Sequence, residues 1–368
     1  MSAPGLTPLT RSFLLPLVPA TAGGALWAQL GLPLGWLMGA ALVIGGAALL
    51  GFSLKVPKPC QSGALIVIGA GVGLSMTPET AVTLGSLAPV MVLATALGVG
   101  CAVLATPFLA RLAGISPATA YFSLLPGGII EMATIGEGHQ ANRSVIAALH
   151  AIRVGLLVIL IPLGLFWLHA GDVLSAGATT ELSLLSLSFV LLTGLAGGLL
   201  FARLQLPAAF LLGPLVFVGV LTSTGVSTWS STGAPNGALG GGLPEGLLVA
   251  AQVVLGFALG ARFRRQELSA IPRAVIGALM IFPVIILVMA LIGGGFQALL
   301  PSASLATLVL SFSIGGMAEM VLTAKTLGAN AAMVAAFQVT RAFLVNLCAG
   351  PLWTVLSKRS LFNPDKKG

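Results

Sequence analysis

Charge is scarce in this chain: Asp, Glu, Lys and Arg together make up 7% of its 368 residues. Soluble domains carry roughly 25%, so water is excluded as the main solvent. Cysteine and histidine are equally sparse, at 3 residues each. Cys60, Cys101 and Cys348 form no CxxC pair and no regular spacing, which excludes a disulfide framework or zinc site and leaves them as small apolar fillers. His139, His150 and His169 are scattered over a loop, a helix middle and a helix end. An oxygen-activating copper or iron site needs several such ligands converging, so neither a metal nor any other cofactor is expected. The absence of a Walker motif, nucleotide loop or catalytic triad argues against an enzyme or a self-contained ATP-driven pump.

What is present is apolar. Hydrophobic residues make up 57%, mean hydropathy is +1.08, and runs such as Val145–His169 and Ala274–Leu300 approach or exceed the roughly 20 residues that span about 30 Å of hydrocarbon. The 48 glycines and 22 prolines suit membrane helices, where Gly permits close approach and Pro is tolerated when neighbours re-satisfy the backbone. The net charge of +8 comes from basic residues placed singly or in small clusters at the ends of apolar runs. That is the positive-inside pattern and not a nucleic-acid surface. Arg11 precedes Ser12–Leu30 without a clean cleavage site, so this stretch is expected to be the first membrane helix.

The chain repeats itself. Gly127-Gly128-Ile129-Ile130-Glu131-Met132 is matched by Gly315-Gly316-Met317-Ala318-Glu319-Met320. Without a gap, Ala141-Asn142 then pairs with Ala329-Asn330, Ala147-Ala148 with Ala335-Ala336, and Arg153 with Arg341, at an offset of 341 − 153 = 188. Upstream, Gly23-Gly24, Leu32-Pro33 and Gly39 pair with Gly197-Gly198, Leu206-Pro207 and Gly213 at 207 − 33 = 174. The Gly-rich stretch Thr222–Pro244 absorbs the difference as a loop insertion, and Gly171–Thr180 is the join. Two membrane repeats follow, 1–175 and 176–368.

Each half reads as six apolar segments: 12–31, 33–54, 61–77, 83–110, 117–137 and 142–169, then 183–203, 207–224, 247–263, 270–299, 303–327 and 331–356. The fifth of each half carries Pro126-Gly127-Gly128 with Glu131 and Glu137, or Gly315-Gly316 with Glu319 and Lys325. A lipid-facing helix would not bear these, so a broken or re-entrant segment is expected. If both fifth segments return to the side they entered, then Arg11, Lys55, Lys58, Arg111, Arg203, Arg262, Arg264, Arg265, Arg273, Lys358 and Arg359 all lie on the cytoplasmic face. The expected fold is an all-α polytopic membrane protein of two inverted six-segment repeats, with 10–12 membrane segments in total. Inverted repeats with broken helices are the architecture of many secondary transporters.

Glu131 and Glu319 each follow a Gly-Gly pair in apolar surroundings. A membrane carboxylate there is a proton carrier or cation ligand, or else bonds the amides at its half-helix start. Arg153 and Arg341 fall in the middle of the sixth segments, to hold an anionic substrate or to pair with a Glu. Asn142 and Asn330 open those segments, eleven residues before the Arg and on its face, with N-capping as the plain alternative. His150 and Gln338 are equivalent positions three residues before the Arg, where a titratable His in one half only is a proton relay or a packing residue. Half-helices starting after Gly127-Gly128 and Gly315-Gly316 aim positive dipole ends at an anion site. Trp27, Trp36, Trp167 and Trp353 read as interfacial anchors.

The doubled pattern of Gly-Gly-x-x-Glu-Met, Ala-Asn and an Arg eleven residues on resembles the AbrB-type duplicated membrane protein family, over essentially the whole chain. Members are labelled ammonia monooxygenases or regulators, and the family shares its name with a soluble DNA-binding regulator whose fold nothing in this chain suggests. The first copy departs from the second at Gly138–Gln140, where the second reads Thr326–Gly328. Segment order is also similar to the cation/proton antiporter and anion transporter group, though the paired Asp of the antiporters is missing.

The expected protein is a multi-pass secondary transporter of the bacterial inner membrane with both termini cytoplasmic. It would carry a small solute, an organic anion by residue type, coupled to protons or sodium. Its partners are the lipid bilayer and a small-molecule or ion substrate, with no nucleic acid, and self-association into a homo-oligomer is compatible with it. A membrane regulatory or sensor protein without flux is the alternative, and a monooxygenase-type oxidoreductase a remote one.

Overall fold

The computed structural model describes residues 10–76, 78–168, 182–206, 208–223 and 242–358. Gly171–Thr180, most of Thr222–Pro244, Pro207, His169 and Arg359 lie outside the described residues. The described chain is helical, and no β-strand occurs in it. After one π-helical turn at Thr10–Leu14 come α1 (Leu15–Gln29), α2 (Gly35–Leu49), α3 (Lys58–Gly73), α4 (Pro78–Ser86), α5 (Ala88–Ala113), α6 (Pro117–Leu124), α7 (Ile129–Glu137) and α8 (Arg143–Leu168). There follow α9 (Leu184–Arg203), α10 (Ala209–Ser223), α11 (Glu245–Gly260), α12 (Arg265–Ser269), α13 (Pro272–Gly295), α14 (Leu305–Phe312), α15 (Met317–Thr326) and α16 (Ala331–Leu356).

Among the described residues, six stretches are long and apolar enough to cross a membrane: Ala88–Ala113, Arg143–Leu168, Leu184–Arg203, Glu245–Ser269, Pro272–Ala298 and Ala331–Leu356. Large apolar side chains such as Leu104, Phe108, Leu192 and Leu291 stand exposed along them, as expected of a protein whose solvent is lipid.

The chain forms two compact units, each assembled from discontinuous segments of both sequence halves. The first contains α1–α3 and α9–α11, and its packing is set by glycine. In the α1–α2 hairpin a Cβ added to Gly39 would run into the backbone of Gly23 and Gly24. In the α9–α10 hairpin a Cβ added to Gly213 would meet Gly197 and Gly198 in the same way. The third helices cross over: Gly256 and Gly260 of α11 sit on the carbonyls of Leu37 and Ala41 of α2, while Gly69 and Gly73 of α3 sit on those of Leu211 and Leu215 of α10. Small residues let membrane helices approach to backbone contact, where dispersion replaces the missing hydrophobic drive. Gly213→Ala should therefore lower stability by about 1–3 kcal/mol, because the obstructing atoms are backbone and cannot rotate away. Gly46→Ala, on α2 with nothing within 4 Å of an added Cβ, should not. Thermal unfolding of the detergent-solubilised protein compares the two.

Both hairpin turns hold two residues in the left-handed region. Gly31 (φ 68°) and Leu34 (φ 52°) precede α2, and Gln205 (φ 53°) and Ala208 (φ 49°) precede α10. A left-handed conformation costs a side-chain-bearing residue roughly 1 kcal/mol or more, so Gln205→Gly, which copies Gly31, should raise the melting temperature.

The second unit contains α5–α7, α13 and α14 with most of α8 and α16. Tyr121 of α6 donates to the Ala349 carbonyl at 3.1 Å, and its ring lies 5.0 Å from that of Trp353. This corrects the expectation for Trp353: it is 7% exposed, packed on Tyr121 and Phe122, and not an interfacial anchor. Trp167 is 77% exposed.

Candidate functional site

The site is built where two helices stop short. Ser116 caps α6 by accepting from Thr119 N at 3.2 Å, and Ser304 caps α14 by accepting from Thr307 N at 3.2 Å. After eight residues each helix ends in extended backbone, at Leu125 (ψ 134°) and at Ser313 (ψ 143°). The next helices, α7 and α15, begin after Gly128 and Gly316. Gly316 has φ +68° and Gly128 is extended. The last carbonyls of α6 and α14 therefore point into apolar surroundings with no intrahelical donor, the negative end of each helix dipole.

Arginine supplies the donors. Arg153 of α8, 1% exposed, donates from Nη1 to Leu125 O at 2.6 Å and Leu124 O at 3.4 Å. From Nη2 it donates to Gly127 O at 3.3 Å and to His150 Nδ1 at 3.2 Å. Because Arg can only donate, His150 Nδ1 must accept; the ring is then neutral with its proton on Nε2, which donates to Phe122 O at 2.9 Å. His150 thus braces Arg153.

At the positions 188 residues further on, the pattern is abridged. Gln338 Nε2 donates to Leu310 O at 2.9 Å, standing in for the imidazole N–H, and also to Ser313 O and Oγ. Arg341 Nη1 donates to Ser313 O. Arg341 Nε, Gln338 Oε1 and Ser311 Oγ are buried without a partner, as is Arg153 Nε. A Cβ added to Gly315, between α14 and α15, would lie 3.2 Å from Arg153 Nε. Arg153 therefore bonds the α6–α7 connection and lies against the α14–α15 connection. Two buried like charges held mainly by carbonyls form an anion-attracting environment.

The carboxylates are placed differently. Glu131 is exposed in the first turn of α7, and Glu319 is half-buried in the first turn of α15. Each folds back over the glycine three residues before it: a Cβ added to Gly128 would collide with Glu131 Oε2, and one added to Gly316 would stand 3.3 Å from Glu319 Oε2. That explains the glycine of the Gly-x-x-Glu pattern. Asn142 and Asn330, expected on the arginine face, are exposed and serve as caps. Asn142 Oδ1 accepts from Ser144 N and Val145 N, both at 3.1 Å, and Asn330 Oδ1 from Met333 N at 2.9 Å.

Reading the sequence alone missed Ser311 and Ser313; the only available signal was that Ser311 aligns with Ser123 at 311 − 123 = 188. Lys325, noticed for its charge, belongs to the first unit, where Nζ donates to Gly71 O at 3.0 Å.

The profile of the family described as "Transition state regulatory protein AbrB" matches residues 36–357. The chain is similar to "Uncharacterized protein YhjN" of Bacillus subtilis (strain 168), 26% identical over 372 residues, covering 95% of this chain and 94% of that protein. No solved structure matches it. With nearly its whole length matched, this helical, membrane-type chain is a member of the AbrB family.

Proposed function

We propose that the chain is a secondary transporter that carries a small anionic solute, of the organic-anion class, across the bacterial inner membrane. The observation that carries this reading is the pair of interrupted helices whose carbonyl ends are held by buried arginines in an otherwise apolar protein. Ionisable groups buried in membrane segments mark substrate or ion pathways, and interrupted helices are the usual construction of transporter sites.

In this reading the halves 1–175 and 176–368 are inverted repeats, and α6–α7 and α14–α15 are re-entrant hairpins. Ten other segments cross the membrane, and both termini are cytoplasmic. The recurrence of the Ser116 and Ser304 caps, of the donors His150 and Gln338, and of the Arg153 and Arg341 contacts at one offset supports the duplication. Arg341 binds the solute. Glu131 and Glu319, beside the breaks, bind the coupling proton or sodium ion.

The second reading is a membrane sensor that binds a ligand without passing it, and the regulatory description of the family favours it. Uptake of labelled small organic anions into proteoliposomes under an imposed proton or sodium gradient separates the two. The transporter reading expects gradient-driven accumulation of at least one anion, and well-folded protein that accumulates none across a broad panel would sink it.

A further inference from the structure

We propose that the two arginines have divided their tasks, and that Arg341 with Ser311 binds the leading atom of a small monoanion, a halide or one carboxylate oxygen. The proposal deepens the transporter reading and rests on it for the meaning of the bound anion, though not for the binding itself.

The division follows from what each guanidinium is given. Arg153 has three carbonyls and an imidazole nitrogen as acceptors, and moving it would strand Gly127 O and His150 Nδ1 and leave Leu125 O with the Gly127 N–H alone. Arg341 has one carbonyl, Ser313 O. Gln338, at the position of His150, does not engage Arg341; its amide nitrogen is spent on Leu310 and Ser313. A charged, buried side chain with donors to spare is poised for a ligand that accepts hydrogen bonds.

There is a place for that ligand. A small cavity within the second unit is lined by Arg341, Ser311 and Thr95, with Gly98, Met289 and Phe337 among its apolar walls. It has room for about one water-sized atom. Ser311, 5% exposed, and Arg341, 8% exposed, line it together, and Ser311 Oγ and Arg341 Nε are both unpartnered. The counterpart Ser123 has no such freedom, because its hydroxyl donates to Thr119 O at 2.7 Å. Thr95 Oγ1 donates to Met91 O at 2.9 Å, so its hydroxyl proton is occupied. The donors left for the cavity come from Ser311 and Arg341, a cation and a hydroxyl flanked by methyl and aromatic groups. That combination selects a single-atom anionic head over a cation. It also disfavours a bulky dianion, which would need more donors and more room.

The test is thermal unfolding of the full chain in detergent at constant ionic strength, titrating sodium chloride or sodium formate against sodium gluconate, whose hydroxylated chain beside the carboxylate would have to be buried against the apolar walls. For the wild type, chloride or formate should raise the melting temperature saturably and gluconate should not. Ser311→Ala should weaken the anion response about tenfold or more, while its melting temperature without the anion is unchanged or higher, since a buried unpartnered hydroxyl is removed. That pairing of lost binding with kept stability is what a purely structural serine would not produce. Ser123→Ala should retain the wild-type anion affinity. Arg341→Lys should stay folded and lose the response.

Equal responses to chloride, formate and gluconate would overturn the proposal and leave the cavity to a water molecule. So would a Ser311→Ala protein with wild-type anion affinity. Saturable, Ser311-dependent binding by a protein that transports nothing would keep this site and defeat the transporter reading. Transport with no Ser311 dependence would do the reverse.

Discussion

Replacing Arg153 with leucine is expected to cost the protein its fold in detergent, whereas Arg341→Leu should leave a folded protein. The leucine fills much of the arginine's volume, so packing is not the main loss. Gly127 O and His150 Nδ1 would lose the donor that Arg153 provides in the apolar interior, while Leu125 O would keep only the Gly127 N–H. Each buried acceptor left unmade costs about 1–3 kcal/mol, and breaking a buried charged network at one partner typically costs about 3–5 kcal/mol. Membrane proteins share the marginal stability of roughly 5–15 kcal/mol common to folded domains, so most of the margin would go. Arg341→Leu removes one donor to Ser313 O and also a buried charge together with its desolvation penalty. The two effects oppose each other. Size-exclusion profiles and melting curves of both proteins measure the contrast; equal behaviour would mean that the difference in hydrogen bonding carries no energetic weight.

The second large effect concerns coupling. Glu131→Gln combined with Glu319→Gln should abolish gradient-driven accumulation, a loss of tenfold or more, while exchange of anion down its own gradient persists. Glutamine keeps the shape of glutamate and its capacity to accept from an amide, but it can neither carry a proton nor hold a cation by charge. If the two carboxylates only complete the first turns of α7 and α15, the double change would cost about 1 kcal/mol of stability and leave accumulation intact. Measuring accumulation and exchange on the same vesicles separates these roles.

Much of the helical layout was legible because membrane segments announce themselves by length and hydropathy. The stretch 331–356 coincides with α16, and 183–203 differs by one residue from Leu184–Arg203. The hairpin glycines are visible as a pattern in the spacing of Gly23, Gly24 and Gly39, while their purpose lies in the contact of one backbone with another, which spacing does not express. The interruption of 83–110 at Leu87 and the five-residue α12 were not legible, because both are too short to change a hydropathy window.

At the site, sequence pointed to the arginines and to their equivalence, and it could not reach their inequality. That depends on Gln338 replacing His150, one substitution whose effect lies in which lone pair faces which N–H. Ser311 escaped notice for a similar reason. It and Ser123 are identical residues at the 188-residue offset that relates the two arginines, and they differ in whether a carbonyl lies within reach. Trp353 was misplaced because position along a helix does not say which side faces a neighbour; Tyr121 and Phe122 claim it.

The central claim is that the anion proposed to bind near the ends of α6 and α14 crosses the membrane. Counterflow tests it most directly: vesicles carrying the wild-type protein are loaded with unlabelled anion, and entry of the labelled form is followed with no ion gradient imposed. The account predicts entry well above that of protein-free vesicles, saturating with concentration and lost in Arg341→Lys. Saturable binding by a folded protein with entry no faster than through lipid alone would contradict it and make the chain a sensor.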